Sequence, residues 1–476
     1  MPKEYKLYVN GEWVESGEWG TVEDKYTGEV IGRLPVADDD LVDRVLSAAQ
    51  SASKPMAALP AHRRAAALEN IAAGIHSRVE EFTRTIALEA GKSWRYALGE
   101  VNRAQETFTF AAAVARTMHG ETVPMDASTA GEGRLGYWFR EPVGVVVAIT
   151  PFNFPLNLVA HKVAPAIAAG CSVVLKPAGT TPLTALLLAE VIHEADLSAG
   201  AFNVIHGSGS KVGKRLVEDS RPRKITFTGS REVGAWIKQH SGLKRVTLEL
   251  GNNSAVVVDK AADIDYAVQR CLMGSFANSG QVCISVQRIY LHEAIAAEFT
   301  EKFVAGTKIL KIDHPLVEDS DVGPMISTSD VERVHQWVQE AVQGGATLLA
   351  GGTPVNERVF PPTVLTDVQP EMKVACDEVF APVVVLETVD SFEEAVRRAD
   401  TTDYGLQAGV FTNDLTHAFH AVRNINVGGV MVNDVPTFRV DHMPYGGTKD
   451  SGIGREGVRF AVEEMTEIKM VVIQPR

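Results

Sequence analysis

The sequence predicts an α/β protein with two parallel-sheet units and a small β arm. Three observations lead there. From about Val145 onward, short Val/Ile/Leu-rich runs alternate with amphipathic helical stretches, the pattern of a parallel sheet covered on both faces. Residues 38–118 are Ala-rich, with apolar residues at three- and four-residue spacing, as in AHRRAAALENIAAGIHS, which predicts helices punctuated by Pro and Gly. Two distant segments, residues 134–140 and 466–473, alternate apolar and polar side chains as exposed strands do.

In chain order, residues 1–13 (MPKEYKLYVNGEW) alternate like a strand and lack the apolar stretch of a secretory leader. The helical region follows and carries Arg103 near its end. A Gly/Ser-containing stretch, residues 126–133, leads into the first arm segment. Five β-rich runs come next: VVVAIT ending at Thr150, SVVLKP at Pro177, FNVIHG at Gly207, KITFTG at Gly229 and RVTLELG at Gly251. A second alternating series runs over residues 254–432. The expected division is 1–122 with 143–249, then 250–455, with 123–142 and 456–476 as the arm. The two arm segments are expected to pair across a subunit boundary.

Composition narrows the function. With 46 Lys+Arg against 60 Asp+Glu, the net charge is −14, which disfavours wholesale binding to nucleic acid or to an anionic membrane. The apolar run at residues 142–152 is well short of the ~20 residues that span a bilayer. The four cysteines, Cys171, Cys271, Cys283 and Cys376, form no CxxC pair, and no His-rich cluster has zinc-ligand spacing. Free thiols, a cytoplasmic location and no metal are expected.

In open parallel sheets, ligands bind beyond the carboxyl ends of the strands. Those ends are polar here: Thr150 and Asn153, Lys176, Gly207 and Gly209, Thr228 with Gly229 and Ser230, and Glu249. GSGSKVG, residues 207–213, has one residue too many for a G-x-G-x-x-G fingerprint and lacks the spacing of a P-loop, so it suits loop punctuation as well as phosphate binding. FTGSREVG places a strand, then Gly229-Ser230, then a helix start, and so offers backbone N–H groups to a phosphate. FANSGQVCIS, residues 276–285, sets Cys283 after a Gly-Gln turn. A lone cysteine also suits a small core position.

Taken together and in order, TPFNFP (150–155), KP at Lys176, FTGS (227–230), LELG (248–251), FANSGQVC (276–283), EVFAPV (378–383), YGLQAGVFT from Tyr404 and PYGGTKDSGIGREG (444–457) resemble the aldehyde dehydrogenase superfamily over nearly the whole chain. The resemblance implies a Rossmann-like cofactor domain, an α/β catalytic domain and a β oligomerisation arm, assembled as a homodimer or homotetramer. It implies Cys283 as nucleophile, Asn153 beside the Cys283 N–H as oxyanion donor, and Glu249 as the base for thioester hydrolysis. For NAD or NADP it implies a groove of Ile149, Thr150, Pro151 and Phe152, then Lys176, Gly207, Gly229, Ser230 and Leu250, with Glu378 and Phe380 at the nicotinamide. Gly179 stands where strongly NAD-preferring relatives often carry Glu, so NADP use is allowed.

CISVQR (283–288) and NDVPTFRVDHMPYGG (433–447) resemble the branch of lactaldehyde, non-phosphorylating glyceraldehyde-3-phosphate, phosphonoacetaldehyde and sulfolactaldehyde dehydrogenases. Arg103, His161, Arg288 and Arg439 stand at candidate substrate positions. Arginine's planar fork suits a phosphonate, phosphate, sulfonate or carboxylate, and each residue equally suits an internal ion pair. A small anionic aldehyde is the expected substrate, with a neutral hydroxyaldehyde second. CoA-acylating oxidation is the rival chemistry, against which Glu249 argues.

Overall fold

A computed structural model describes residues 2–475. The five β-rich runs form the parallel centre of an eight-stranded sheet. In spatial order they are Arg245–Glu249, Lys224–Thr228, Val145–Ile149, Ser172–Lys176 and Phe202–Val204. The chain runs outward from Val145–Ile149 through Ser172–Lys176 to Phe202–Val204. It then crosses back to lay Lys224–Thr228 on the other side of the first strand. That reversal opens a crevice between the ends of Val145–Ile149 and Lys224–Thr228, the place where a parallel sheet receives a ligand.

Antiparallel strands close this sheet at both edges. Leu7–Val9 and Glu12–Val14 form a hairpin on one edge. Asn10 and Gly11 turn it with φ of 56° and 81°, the left-handed pair that two-residue hairpins require. Gly452–Ile453 pairs with Leu248 and Glu249 on the other edge.

The second sheet has seven strands, in the order Thr347–Ala350, Thr363–Thr366, Val383–Val389, Val286–His292, Ser254–Val258, Gln407–Phe411 and Gly429–Val432. All its pairings are parallel except the first. Helices Asp39–Ala58, Ala61–Ser77, Val79–Ala90 and Trp94–Thr117 occupy the Ala-rich region. Asp38 starts the first of them, its carboxylate accepting the Leu41 N–H at 2.8 Å.

The arm differs from expectation in two ways. Thr466–Ile473 pairs antiparallel with Leu135–Pro142 of the same chain along its whole length, and Glu121–Val123 adds a third strand. The pairing is therefore internal to one chain. Residues 456–465 also leave the arm: helix Val458–Glu464 sends Val458 and Val462, followed by Met465, into the core of the first sheet. Their apolar spacing fits a helix lying on a core rather than an exposed strand.

One buried pair sets the loop that follows Val145–Ile149. Glu100, on helix Trp94–Thr117, takes Lys92 Nζ at 2.5 Å on one oxygen. Its other oxygen accepts the Leu156 and Asn157 N–H groups at 2.8 and 3.0 Å, at the start of helix Asn157–Ala169. Both side chains are fully buried. Glu100→Ala leaves an uncompensated buried ammonium and is expected to cost about 3–5 kcal/mol, measured as a lower denaturant midpoint.

Candidate active site

Cys283 sits on a tight loop between the two sheets. Helix Ile264–Phe276 ends, and Asn278, Ser279 and Gly280 then take φ of 52°, 54° and 68° in succession. A side chain on Gly280 would meet the Ala381 carbonyl oxygen at 2.2 Å, so only glycine lets the loop press against Ala381. Gln281 fastens the turn, its side-chain oxygen accepting the Ile326 N–H at 2.9 Å. Two residues later the Cys283 Sγ lies 3.1 Å from Tyr445 Oη. Burial pushes this thiol up to about 12, with the Tyr445 hydrogen bond and then the Arg439 charge acting in the opposite direction.

Asn153 reaches the same loop. Its Nδ2 donates to the Gln281 carbonyl at 3.0 Å, and its buried Oδ1 has no partner. Glu249 ends its strand with both carboxylate oxygens buried and unpartnered. Burial, then the charge of Glu456, raises Glu249 well above the usual carboxylate range. Gly446 keeps the carboxylate room: a side chain there would sit 2.9 Å from Glu249 Oε1. Glu456 carries the opposite sign of shift. Burial opposes its ionisation, yet Lys162 at 2.7 Å and Arg439 at 3.2 Å hold it below its ordinary value.

Beyond the strand ends lies a cavity of about 500 Å³, lined among others by Ile149, Lys176, Phe227, Val233 and Trp236. Burial lowers Lys176 to about 8. Two hydroxyls at adjacent strand ends, Thr150 Oγ1 and Thr228 Oγ1, are buried without partners. Gly207 underlies the cavity loop against Val212, and Gly209 and Gly213 rather than Gly207 reach its wall. The expectation that Gly229 offers a free N–H is corrected, because it donates to the Glu249 carbonyl at 3.0 Å. Ser230 caps helix Arg231–His240 through its hydroxyl, and Leu250 packs beneath that helix at Gly234. Pro151 and Phe152 are half-buried on the connecting loop. Phe152 meets Phe380 edge-on at 5.8 Å. Phe380 holds a φ of 52°, a costly conformation for an aromatic residue. Beside it the half-buried Glu378 accepts the Asn252 N–H at 2.9 Å and is raised by desolvation to about 7.

A second cavity, about 210 Å³, opens onto Cys283. Four cations stand on its wall: Lys92, Arg95, Arg103 and Arg439. Each is paired. Lys92 meets Glu100, Arg95 meets Asp321, Arg103 donates two hydrogen bonds to the Asp441 carboxylate at 2.8 and 3.1 Å, and Arg439 meets Glu456. His161 stands behind the wall, its Nε2 at 2.8 Å from Asp441 Oδ1 and 3.2 Å from Arg439 Nη2. Burial, then Arg439, lowers its pKa.

Arg288 does not join this group. It is 4% exposed and donates to the Tyr290 hydroxyl and to the Asn253, Arg398 and Ala399 carbonyls. It lines a different cavity, away from Cys283. Its place on strand Val286–His292 turns the side chain to the far face of the second sheet.

The geometry thus brings a thiol, a carboxamide and a buried carboxylate from three separate elements to one seam. The sequence profile of the aldehyde dehydrogenase family matches residues 13–471. The chain belongs to the aldehyde dehydrogenase family. This aldehyde dehydrogenase is 46% identical over 471 residues to the 3-sulfolactaldehyde dehydrogenase of Priestia megaterium, covering 99% of this chain and 98% of that protein. Among solved structures, it superposes with a TM-score of 0.97 and 43% identity on aldehyde dehydrogenase 21 from Physcomitrella patens in complex with succinate. That match covers 99% of this chain and 98% of the other. It also matches the glyceraldehyde-3-phosphate dehydrogenase GapN of Methanocaldococcus jannaschii complexed with NADP, at a TM-score of 0.93 and 39% identity, over 97% and 100% of the chains.

Sequence reasoning missed Tyr445, Lys92, Arg95 and Trp236. Tyr445 lay inside a quoted motif, PYGGTKDSGIGREG, with nothing in the sequence to set its hydroxyl against Cys283. Lys92 and Arg95 had no signal, since only folding brings residues 92–95 to the mouth. Among the described residues, no helix is long and apolar enough to cross a membrane.

The buried position of Arg288 predicts a stability role. Arg288→Leu is expected to cost about 2–4 kcal/mol by stranding buried acceptors while leaving the KM for aldehyde unchanged, as measured by denaturant unfolding and steady-state kinetics.

Proposed function

We propose that this aldehyde dehydrogenase oxidises a short anionic aldehyde to its carboxylic acid through a thioester on Cys283, using NAD or NADP. The observation that carries the substrate class is the wall of the Cys283 cavity, where three arginines, Arg95, Arg103 and Arg439, face a space too small for a long-chain aldehyde. A sulfonate, phosphonate, phosphate or carboxylate offers Arg439 and Arg103 paired acceptors. The sulfolactaldehyde enzyme and the succinate complex among the relatives support a charged tail. One observation favours a neutral hydroxyaldehyde instead: every cation already has a carboxylate partner, so an anion must compete with it.

The residues at the strand ends fit a dinucleotide. The cavity of about 500 Å³ has an apolar slot beside Trp236 and Val233, a buried lysine, and two orphaned threonine hydroxyls next to it. A dinucleotide held across these strand ends would supply, through its nicotinamide, the hydride acceptor. Lys176 and Ser230 would hold its ribose and phosphate portions, and Glu378 with Phe380 its nicotinamide end. Gly179 places no carboxylate against a 2′-phosphate, in keeping with either cofactor.

In this reading the Cys283 thiol gives up its proton to water and its sulfur adds to the carbonyl carbon, the oxyanion forming between the Asn153 amide and the Cys283 N–H. Loss of the aldehyde C–H as hydride, which a bound nicotinamide would accept, leaves the thioester. Glu249 then takes a proton from the water that attacks the thioester, and sulfur leaves. The presence of Glu249 supports hydrolysis rather than transfer to CoA. Apolar side chains exposed along both long arm strands, among them Leu135, Tyr137, Ile468 and Val472, support assembly of the arm into a homodimer or homotetramer.

Glu249 must be ionised to act, and burial raises its pKa. Acid formation is therefore expected to fall away with decreasing pH at a value above the ordinary carboxylate range. Glu249→Gln should lower turnover by ~10²-fold or more and let a thioester accumulate on Cys283, visible by mass spectrometry. The substrate class is tested by kcat/KM over sulfolactaldehyde, phosphonoacetaldehyde, glyceraldehyde 3-phosphate, succinic semialdehyde and lactaldehyde, each with NAD and with NADP. Anionic aldehydes are expected to lead, and Arg439→Leu to cost them more than lactaldehyde. A lactaldehyde preference over every anion would refute the charged-tail reading.

A further inference from the structure

One more polar atom touches the Cys283 sulfur. Tyr445 Oη lies 3.1 Å from Sγ and has no other hydrogen-bond partner among the described residues. The ring is 3% exposed and packs with Val282, Ile284 and Leu406, next to Cys283 and Phe154. Its backbone is pinned in both directions to Glu456, N–H to carbonyl at 3.1 Å and the reverse at 2.6 Å. On the ring sits the Arg439 guanidinium, its carbon 3.6 Å from the centroid. Glu456 holds Arg439 in turn at 3.2 Å.

A phenylalanine would fill the same space, so the hydroxyl needs its own account. A buried hydroxyl costs free energy unless it is bonded, and the sulfur is its one partner. Burial and the neighbouring Cys283 keep the phenol protonated far above its ordinary range. It therefore serves as a donor. A thiol is a weak acceptor of that bond, whereas a thiolate accepts a charge-assisted one. The difference favours the ionised sulfur. A cation stacked on the ring draws electron density from it and strengthens the O–H as a donor.

We propose that Tyr445, backed by Arg439, holds the Cys283 thiolate in its attacking position and stabilises its charge. This rests on the reading of Cys283 as nucleophile. Arg439 would then serve the sulfur as well as the substrate, and the apparent acidity of the nucleophile would be set partly from the substrate cavity.

The test is the pH profile of alkylation by iodoacetamide, an uncharged probe, followed at the Cys283 peptide by mass spectrometry in the full-length enzyme without substrate. Tyr445→Phe keeps the ring and the stack. It is expected to move the profile to higher pH and to slow alkylation at neutral pH by about tenfold or more. Arg439→Gln should move the profile the same way, and Tyr445→Leu, which also lacks the hydroxyl and leaves Arg439 in place, carries the test if Tyr445→Phe does not fold. A profile that superposes on the wild type, or faster alkylation at neutral pH, overturns the proposal. Cys283→Ala separates the two claims. Undiminished turnover in that variant removes the nucleophile itself, whereas an inactive Cys283→Ala with an unmoved Tyr445→Phe profile removes only the role of Tyr445.

Discussion

The site depends on one arrangement of charge: two buried carboxylates, Glu249 and Glu456, share a dry space with two buried cations, Lys162 and Arg439. Two anions there would strain an environment that screens poorly. The cations both lean on Glu456, by 2.7 and 3.2 Å contacts, and leave both oxygens of Glu249 without a partner. The asymmetry divides the labour. Glu456 is a fixed counter-ion, and Glu249 is left as a carboxyl with no partner on either oxygen. Neither residue has this character alone, because each environment is defined by what the other has taken.

The second requirement is position. Cys283, Asn153 and Glu249 come from a loop of the second unit, a loop of the first, and a strand end of the first. The seam is fixed by contacts that carry no chemistry themselves: Gly280 pressed on Ala381, the Gln281 carbonyl under Asn153, and Gly452–Ile453 paired with Leu248 and Glu249. That last pairing ties residues beyond the second sheet back to the first. It also explains why the stretch 444–457 touches so many parts of the site.

Much of this was legible in the sequence, and the reasons can be named. The five strand runs stand out because a sheet buried on both faces needs continuous Val and Ile. Cys283, Asn153 and Glu249 stand out because the motifs that hold them resemble those of the aldehyde dehydrogenase family and follow one another in the same order along the chain. The mouth was harder. Arg103 and Arg439 are brought to it, but Arg288 has the same residue type near Cys283 and points to the other face of its sheet, a parity that the spacing from Cys283 does not reveal. Lys92 and Arg95 were invisible because their proximity exists only after helix Trp94–Thr117 docks. The edge pairing of Gly452–Ile453 and the helix Val458–Glu464 moved the arm boundary, since two residues of strand and two turns of helix leave little periodicity to detect.

Arg439 touches the aromatic ring beside Cys283, lies near His161 and holds Glu456, all while lining the cavity that opens onto Cys283. A residue with that many duties is a poor place for evolution or a designer to begin changing substrate choice. Altering it to suit a new tail would disturb the sulfur and the carboxylate pair in the same stroke. Arg95 and Arg103 are more open to water, and their partners, Asp321 and Asp441, lie outside the reacting atoms. The outer rim is therefore the adjustable part of this enzyme. Divergence among close relatives toward different anions is best sought there, with the inner arginine held constant.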